Sequence, residues 1–213
     1  MNSLWYRIFL AGIILPFNWG QIAVGEVLGS DVAVLELQIG RGREGVRRHV
    51  VVGFYDGAAP RTVANFKELA LKGFYRNIRV HRIFSDMLVQ MGDPLTRVGW
   101  FASRRPLRAG TGGPGYCVPA EIGVKAGRGA VVASRLSDSV NPSKASNGSQ
   151  FFILLAEAPK LAGNYTVFGK VIDGMEVLEE VSRLPVDSND FPLQDVVIRG
   201  IKIISLSEFI PTN

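Results

Sequence analysis

The chain has 213 residues, of which 47% are apolar and 20% are charged, so it can bury one sizeable core and does not belong to the disordered class. Its formal net charge is +5, but the basic residues are scattered except for a cluster at Arg97, Arg104, Arg105 and Arg108. This pattern favours a basic loop and argues against nucleic acid as a partner, because a nucleic-acid groove needs a continuous track of positive charge. Cys117 is the only cysteine, which excludes an intrachain disulfide.

The N-terminal segment predicts an export signal. Arg7 precedes the apolar run 8–15, and Pro16 ends that run. Residues 23–25 include small residues at the spacing of a signal-peptidase cleavage site. The run is shorter than the roughly 20 residues that a membrane-spanning helix needs. We therefore expect a cleaved signal peptide at 1–25, a mature domain at 26–213, and a periplasmic or secreted protein with no stable membrane insertion. An N-terminal membrane anchor is the alternative.

The mature chain begins with two predicted strands, 32–38 and 50–55, joined by a turn rich in glycine and arginine. Pro60 opens a helix that stops at Gly73, and a second helix starts at Asp173 with Glu176 placed for a capping box. The remaining apolar runs predict strands at 78–84, 87–90, 130–134, 151–155, 167–172 and 196–205. Many short strands with two helices indicate a mainly β fold, in which the helices cover the open ends of a closed or nearly closed antiparallel barrel.

The sequence lacks the residue patterns of the common types of active site. The two histidines, His49 and His81, and a single cysteine without HExxH or CxxC spacing leave almost no ligands for a metal. The glycine-rich segment 110–115 lacks the lysine of a phosphate loop, and no G-x-S-x-G motif is present. The sequence therefore predicts no metal, no cofactor and no covalent catalysis.

Polar residues inside two apolar segments remain to be explained. If 80–84 is one strand, Val80, Arg82 and Phe84 share a face, and Arg82 must either reach water at a barrel edge or act on something bound there. Gln150 leads directly into the apolar strand 151–155. Phe152 alternates with the preceding phenylalanine, so that one ring can join the core while the other faces a surface groove.

The ordered motifs from residue 32 to residue 204 resemble the cyclophilin peptidyl-prolyl cis-trans isomerases. They are VHRIF at 80–84, QMGD at 90–93, GTGGPGY at 110–116, SQFFI at 149–153 and YTVFGKV at 165–171. Bacterial, exported members look most similar, because Arg135 follows an Ala-Ser pair and Tyr165 stands where other members carry histidine. The resemblance implies an eight-stranded antiparallel closed barrel capped by two α-helices. It also implies rotation of Xaa-Pro bonds during protein folding, without a cofactor, on unfolded or partly folded proline-containing polypeptides by a monomer.

The resemblance assigns a role to each site residue. Arg82 is the catalytic residue, and Gln90 and Gln150 are polar residues of the groove. The proline pocket is implied at Met87, Leu88, Phe152, Leu161 and Tyr165. The strip that binds the residues before proline is implied at Gly110, Ser134, Arg135 and Leu136.

The chain departs from the family pattern at three places, and two of them, Met87 and Lys160, leave a second function open. Met87 stands at a pocket position that is usually phenylalanine, and Lys160 stands where other members carry tryptophan or phenylalanine. Residues 95–109 form an insertion between Asp93 and Gly110, either as a tolerated surface loop or in contact with substrate. The alternative is therefore a weakly catalytic module that binds proline-containing segments as a chaperone or scaffold.

Overall fold

The computed structural model describes residues 28–99 and 108–209, so the predicted signal peptide and the middle of the insertion lie outside the described residues. Within the described ranges the chain forms eleven strands and two α-helices. The helices are α1 (Pro60–Leu71) and α2 (Met175–Ser182). The strands are β1 (Asp31–Ile39), β2 (Val46–Phe54), β3 (Ile78–Arg79), β4 (Arg82–Phe84), β5 (Leu88–Met91), β6 (Cys117–Val118), β7 (Ala130–Ala133), β8 (Ser146–Asn147), β9 (Phe151–Leu154), β10 (Val167–Asp173) and β11 (Val196–Ser205).

The mainly β fold with two helices is confirmed, but the closed eight-stranded barrel is corrected. The described strands form a curled antiparallel sheet of nine strands in the order β3-β11-β1-β2-β10-β7-β9-β5-β4, beside a small sheet of β6 and β8. Its edge strands β3 and β4 are paired with β11 and β5 respectively, and they are not paired with each other. The ladder of hydrogen bonds is therefore open.

A break at Val80–His81 is the physical reason for the open ladder. The segment predicted as one strand, 78–84, leaves one edge of the sheet and joins the other. The amide of Val80 donates to Val196 O at 2.8 Å on the β11 side, and the amide of His81 donates to Gln90 O at 3.1 Å on the β5 side. The two edges of the curled sheet thus meet within two residues of one chain segment.

The interior of the curled sheet is filled by an aromatic cluster around helix α1. Phe66 of α1 lies with its ring centre 5.2–5.7 Å from those of Phe54, Tyr75, Phe151 and Phe168. Tilted and edge-on pairs at such distances are the favoured packing of aromatic rings. Helix α1 therefore closes one end of the core with the apolar face that its sequence predicts.

The capping box predicted for α2 is wrong. Asp173 still belongs to β10, and α2 begins at Met175 after Gly174, which has φ +84° and no side chain to cap the helix. A Cβ at Gly174 would lie 2.4 Å from His49 O, so only glycine fits this close approach. The backbone geometry at Gly174 therefore takes the place of a side-chain cap.

The N-terminus of α1 is capped by a distant carboxylate. Its own N-cap residue, Ala59, has no hydrogen-bonding side chain. Instead Glu121 Oε1 accepts from the amide of Arg61 at 3.0 Å, and Oε2 accepts from the amide and hydroxyl of Thr62 at 2.8 and 2.7 Å. A carboxylate at this position satisfies free amides and interacts favourably with the helix dipole.

Glu121→Ala should lower the free energy of unfolding by about 1–2 kcal/mol, since a lost helix cap typically has this effect. Urea denaturation measures the change. Glu180→Ala, which removes an exposed carboxylate from α2, serves as the control and should change stability by less than about 0.5 kcal/mol. Equal stability of the Glu121→Ala variant and the wild type would contradict the assigned cap.

Candidate active site

The antiparallel register places Arg82, Gln90 and Phe152 in one row across three strands. Arg82 of β4 lies opposite Gln90 of β5, and Gln90 lies opposite Phe152 of β9. Directly opposed residues in adjacent antiparallel strands have Cβ atoms about 5 Å apart on the same face of the sheet. Val80, which was expected to share this face, belongs instead to the interior core. The break between β3 and β4 shifts the alternation of side chains, so the prediction that Val80 shares a face with Arg82 is wrong. The row of Arg82, Gln90 and Phe152 does not depend on Val80.

The alternation of Phe151 and Phe152 is confirmed. Phe151 joins the interior core, and Phe152 packs in a second apolar cluster on the other side of β9. Partly buried members of this outer cluster include three residues predicted for the proline pocket, Leu88, Leu161 and Tyr165. The ring of Tyr165 stands edge-on to Phe152, with centroids 5.8 Å apart.

Met87 departs from the predicted pocket. Its side chain is 50% exposed, and the outer apolar cluster does not include it. The reason is its place in the turn between β4 and β5, where its amide donates to Phe84 O at 3.0 Å and its carbonyl accepts from the amide of Leu155 at 2.8 Å. The structure therefore groups four of the five predicted residues in one apolar cluster.

The two glutamines form a hydrogen-bonded chain that leads to the glycine-rich loop. Gln90 Nε2 donates to Gln150 Oε1 at 3.1 Å. Gln150 Nε2 in turn donates to Gly110 O at 3.0 Å and Gly112 O at 2.7 Å. Each amide thereby fixes the orientation of the next, and the loop backbone is held beside the row that contains Arg82.

Asp93 organises the same loop, and sequence reasoning assigned it no role. Its carboxylate is fully buried. Oδ1 accepts from the amide of Leu95 at 2.8 Å, and Oδ2 accepts from the amides of Gly110 and Gly112 at 2.6 and 3.2 Å. The sequence signal that could have identified it is the Asp-Pro pair at 93–94, which is typical of a capped turn.

The residues predicted to bind the chain before proline line one groove. This groove has a volume of about 530 Å³, and its wall includes the residues Gln90, Gly110, Ser134, Arg135, Leu136 and Gln150. A second groove of about 380 Å³ contains Arg82 and shares Gln90 and Gly110 with the first. The predicted site residues thus line two adjacent grooves, and Gln90 and Gly110 line both of them.

Arg135 shapes the rim of the groove through contacts with its neighbours. Its guanidinium lies 4.6 Å from the ring centre of Tyr165 and donates to Asn164 O at 2.6 Å. It also pairs with Asp138 at 2.6 Å, and its side chain is only 5% exposed. These contacts hold Arg135 in place and stack it on the aromatic ring of the predicted proline pocket.

Arg82 is exposed and oriented by two neighbours. Its Nε lies 3.4 Å from Asp190 Oδ2, and its guanidinium lies over the ring of Phe84 at 4.3 Å. An exposed ion pair of this kind contributes little to stability. Its two terminal nitrogens make no hydrogen bond within the ranges 28–99 and 108–209, so they remain available for a ligand.

His81 is a buried, neutral neighbour of this site. Burial is the largest cause that lowers its pKa, to about 4, and Arg82 adds to the effect while Asp93 opposes it. Neither ring nitrogen has a hydrogen-bond partner among the described residues. The edge of the ring lies 3.9 Å from the position that a Cβ of Gly110 would occupy. His81 therefore fills the space behind the loop as an uncharged ring.

His81 should make stability fall as the solution is acidified. Between the ordinary pKa of about 6.5 and the lowered value, the unfolded chain binds a proton that the folded chain does not, so acid favours unfolding. From pH 7.5 to 5 the wild type should lose about 2 kcal/mol more than His81→Gln. Urea denaturation at both pH values measures this difference. The control is His49→Gln, which removes an exposed histidine and should keep the wild-type slope; equal slopes for all three proteins would refute the prediction.

Comparison with known proteins decides the family. Residues 37–203 match the family described as cyclophilin type peptidyl-prolyl cis-trans isomerase/CLD. The chain belongs to the cyclophilin family. As a cyclophilin it is a peptidyl-prolyl cis-trans isomerase, an enzyme that accelerates rotation about Xaa-Pro bonds.

Named relatives of this cyclophilin come from a plant and a fungus. A peptidyl-prolyl cis-trans isomerase of Arabidopsis thaliana is 38% identical over 154 residues, which cover 72% of this chain and 86% of the relative. A peptidyl-prolyl cis-trans isomerase-like 1 protein of Aspergillus fumigatus is 38% identical over 155 residues, which cover 72% and 88%.

Solved structures of a cyclophilin type isomerase from Cryptosporidium parvum share the fold. One is 27% identical with a TM-score of 0.67, and the match covers 83% of this chain and 98% of that chain. The other, determined in the presence of the dipeptide Ala-Pro, is 28% identical with a TM-score of 0.64 and covers 80% and 99%. The family match over residues 37–203 spans the strands that carry Arg82, Gln90 and Phe152.

In the described part of the chain, no group of three or more histidine, cysteine, aspartate or glutamate side chains could hold a metal ion. None of the helices within residues 28–99 and 108–209 has the length and apolar character needed to cross a membrane.

Proposed function

We propose that Arg82 is the catalytic residue of this cyclophilin and acts on the nitrogen of the proline ring. The observation that carries the proposal is the row of Arg82, Gln90 and Phe152 across β4, β5 and β9, with a permanently charged donor beside an aromatic residue. The site offers a positive donor and an apolar surface without acid-base groups in the row. This combination fits bond rotation, which transfers no proton.

The physical basis is the electronic change during rotation. Amide resonance makes the peptide bond partly double and gives a barrier of about 18–20 kcal/mol. When the bond is twisted, the proline nitrogen becomes pyramidal and regains a lone pair that a guanidinium can hydrogen-bond. That bond forms only in the transition state, so it lowers the barrier without strengthening substrate binding equally.

The remaining site residues hold the substrate on either side of the rotating bond. The proline ring occupies the apolar surface formed by Leu88, Phe152, Leu161 and Tyr165, which belong to one cluster. The preceding residues lie along the groove lined by Gly110, Ser134, Arg135 and Leu136. Gln90 and Gln150 fix the boundary between the two. The substrates are proline-containing polypeptides, unfolded or partly folded, in agreement with the Ala-Pro dipeptide used with the Cryptosporidium parvum protein.

A protease-coupled isomerisation assay on Xaa-Pro tetrapeptides tests this function. Wild-type protein should accelerate cis-to-trans conversion by orders of magnitude over the thermal rate, which has a time constant of tens to hundreds of seconds. A specific observation favours a second function: Met87 and Lys160 are both exposed at the positions where aromatic residues are usual. Peptide binding with conversion at the thermal rate would identify the weakly catalytic chaperone or scaffold instead.

We further propose that the protein is exported and acts in the periplasm or outside the cell. Support comes from the N-terminal sequence alone, with Arg7, the apolar run 8–15 and the small residues at 23–25. The expectation of a bacterial origin stays a prediction, since the relatives reported above come from a plant, a fungus and Cryptosporidium.

The mature protein should begin near Glu26. Expression of the full chain in a host with a signal peptidase, followed by mass spectrometry of the purified protein, measures its N-terminus. Replacement of Arg7 and the apolar run 8–15 by polar residues should retain the protein in the cytoplasm with Met1 or Asn2 as its first residue. Membrane-bound protein with an intact N-terminus would support the anchor instead.

A further inference from the structure

A third concave surface lies on the outer face of the curled sheet and shares no lining residue with the two grooves of the active site. It encloses about 320 Å³ and is formed by the turn between β1 and β2, by β3, by β11 and by the first residues of the insertion, with Arg41, Arg79, Asp195 and Arg199 as its charged lining. We call it the arginine pocket. Among its described lining residues three arginines face one aspartate, so it carries an excess of two positive charges.

Asp195 is divided between two of the arginines. Its Oδ2 lies 2.7 Å from Arg41 Nε, and its Oδ1 lies 3.3 Å from Arg79 Nε. Arg79 is held on β3 with a side chain only 4% exposed. Burial lowers the pKa of Arg79, Asp195 raises it, and the positive charge of Arg41 lowers it again. One carboxylate thus lies against the guanidinium groups of two arginines.

Arg199 adds a third guanidinium that is fixed by neutral partners. Its Nε donates to Gln38 Oε1 at 2.7 Å, and its Nη1 donates to Asn77 Oδ1 at 2.8 Å. Gln38 is itself buried and donates to Gly42 O at 2.9 Å, which ties the turn that carries Arg41 to the same network. Arg79 and Arg199 are therefore held in place before any ligand arrives, and these two side chains have little entropy left to lose on binding.

The chemistry of the arginine pocket favours an oxyanion. Guanidinium groups present several donors in a planar fork that matches carboxylate and phosphate oxygens. A carboxylate or phosphate group on the polypeptide substrate of this enzyme therefore fits this surface.

The arginine pocket lies close to the active site along the chain. Arg79 and Arg82 belong to one extended segment and are separated by only Val80 and His81, so about 10 Å of strand connects them. The insertion also joins the two sites, because Val98 and Gly99 line the arginine pocket while Ala109 and Gly110 line the groove of Arg82. Residues 79 and 82 thus contribute one arginine to each of the two sites.

We propose that the arginine pocket binds an oxyanion on the substrate polypeptide, either an acidic side chain or a phosphorylated one, a few residues from the proline. The inference rests on the proposed function, to which it adds a preference for acidic proline-containing segments. The polypeptide is then held at two points, one at the proline and one at the oxyanion.

Fluorescence anisotropy with labelled peptides tests the proposal. Each peptide contains one Ala-Pro bond and, three to five residues before or after it, glutamate, phosphoserine or the neutral glutamine. The full-length wild type is compared with Arg41→Gln and Arg199→Gln, and Arg61→Gln is the control because it removes one exposed charge from α1. Circular dichroism melting checks each fold, and Arg41, with 61% of its side chain exposed, can be replaced with little risk to folding.

The wild type should bind the best acidic peptide about tenfold more tightly than its glutamine counterpart. Arg41→Gln and Arg199→Gln should abolish most of that preference and leave turnover of a neutral tetrapeptide unchanged, while Arg61→Gln should keep both. A preference for glutamate or for phosphoserine supports the pocket, and the tighter of the two identifies the source of the oxyanion. Equal binding of acidic and neutral peptides, or a preference that survives both variants, would overturn the proposal.

Two further measurements separate the possible failures. Peptides in which proline is replaced by alanine measure binding to the arginine pocket alone. They therefore test the pocket even if the wild type turned over no tetrapeptide and the proposed function failed. A single-stranded DNA that bound more tightly than the acidic peptides, and lost affinity in the same variants, would overturn the assignment to polypeptides.

Discussion

Arg82→Ala should lower kcat/KM for Xaa-Pro tetrapeptides by about 10²–10³-fold, the usual effect of removing one donor that acts on the transition state. The loss should fall mainly on kcat, because the apolar cluster around Phe152 and the adjacent groove are left intact to bind substrate. The fold should be unchanged, since the exposed contact of Arg82 with Asp190 contributes little stability. The protease-coupled assay and thermal melting measure the two quantities.

Arg82→Lys and Arg128→Ala are the controls for this result. Lysine keeps the charge but not the planar fork, so Arg82→Lys should retain only part of the activity. Arg128 is an exposed arginine that pairs with Glu179 at 2.6 Å, and its replacement should leave kcat/KM near the wild-type value. If Arg82→Ala turned over peptides as fast as the wild type, the assignment of Arg82 as catalytic residue would be abandoned.

Asp93→Asn should affect both stability and substrate binding. The buried carboxylate accepts from three backbone amides, and an asparagine in its place would put an NH₂ group against one of these donors. We expect the free energy of unfolding to fall by about 2–3 kcal/mol, the cost of leaving a buried hydrogen bond to a charged group unmade. Because Gly110 would be displaced while Arg82 keeps its place on β4, KM should rise about tenfold and kcat should change less.

Urea denaturation and the same kinetic assay measure these effects of Asp93→Asn. Asp86→Asn is the matched control: Asp86 is exposed in the neighbouring turn with φ +54°, a conformation that asparagine also adopts readily. It should change neither stability nor KM appreciably. A rise in KM for Asp86→Asn of the same size would show that the effect is not specific to the loop that Asp93 holds.

Side-chain chemistry within short segments was predictable from the sequence. The alternation of Phe151 and Phe152 correctly assigned one ring to the core and the other to the outer face. The position of Pro60 correctly predicted the start of α1. The ordered motifs identified the cyclophilin family, which the match over residues 37–203 confirmed. These inferences depend only on residue type and local spacing, which the sequence states directly.

Close approaches between distant segments were not predictable in this way. The chain leaves one sheet edge at Val80 and joins the other at His81, and this break moved Val80 to the core and Arg82 to the outer face. Met87 was placed in the turn and outside the outer apolar cluster for a similar reason, because hydrogen bonds to Phe84 and Leu155 fix its backbone. The periodicity of residues within a segment cannot show which other strands that segment pairs with.

The sequence by itself determined the fold class, the family and the chemical character of the groove, because each follows from which residues occur and in what order. The tertiary structure decided which of them meet. It brought Glu121 to the start of α1, Asp93 to the amides of Gly110 and Gly112, and Arg41 and Arg79 to Asp195. These contacts join residues that are far apart in the chain, and their geometry follows from strand register and from the curl of the whole sheet, to which every strand contributes.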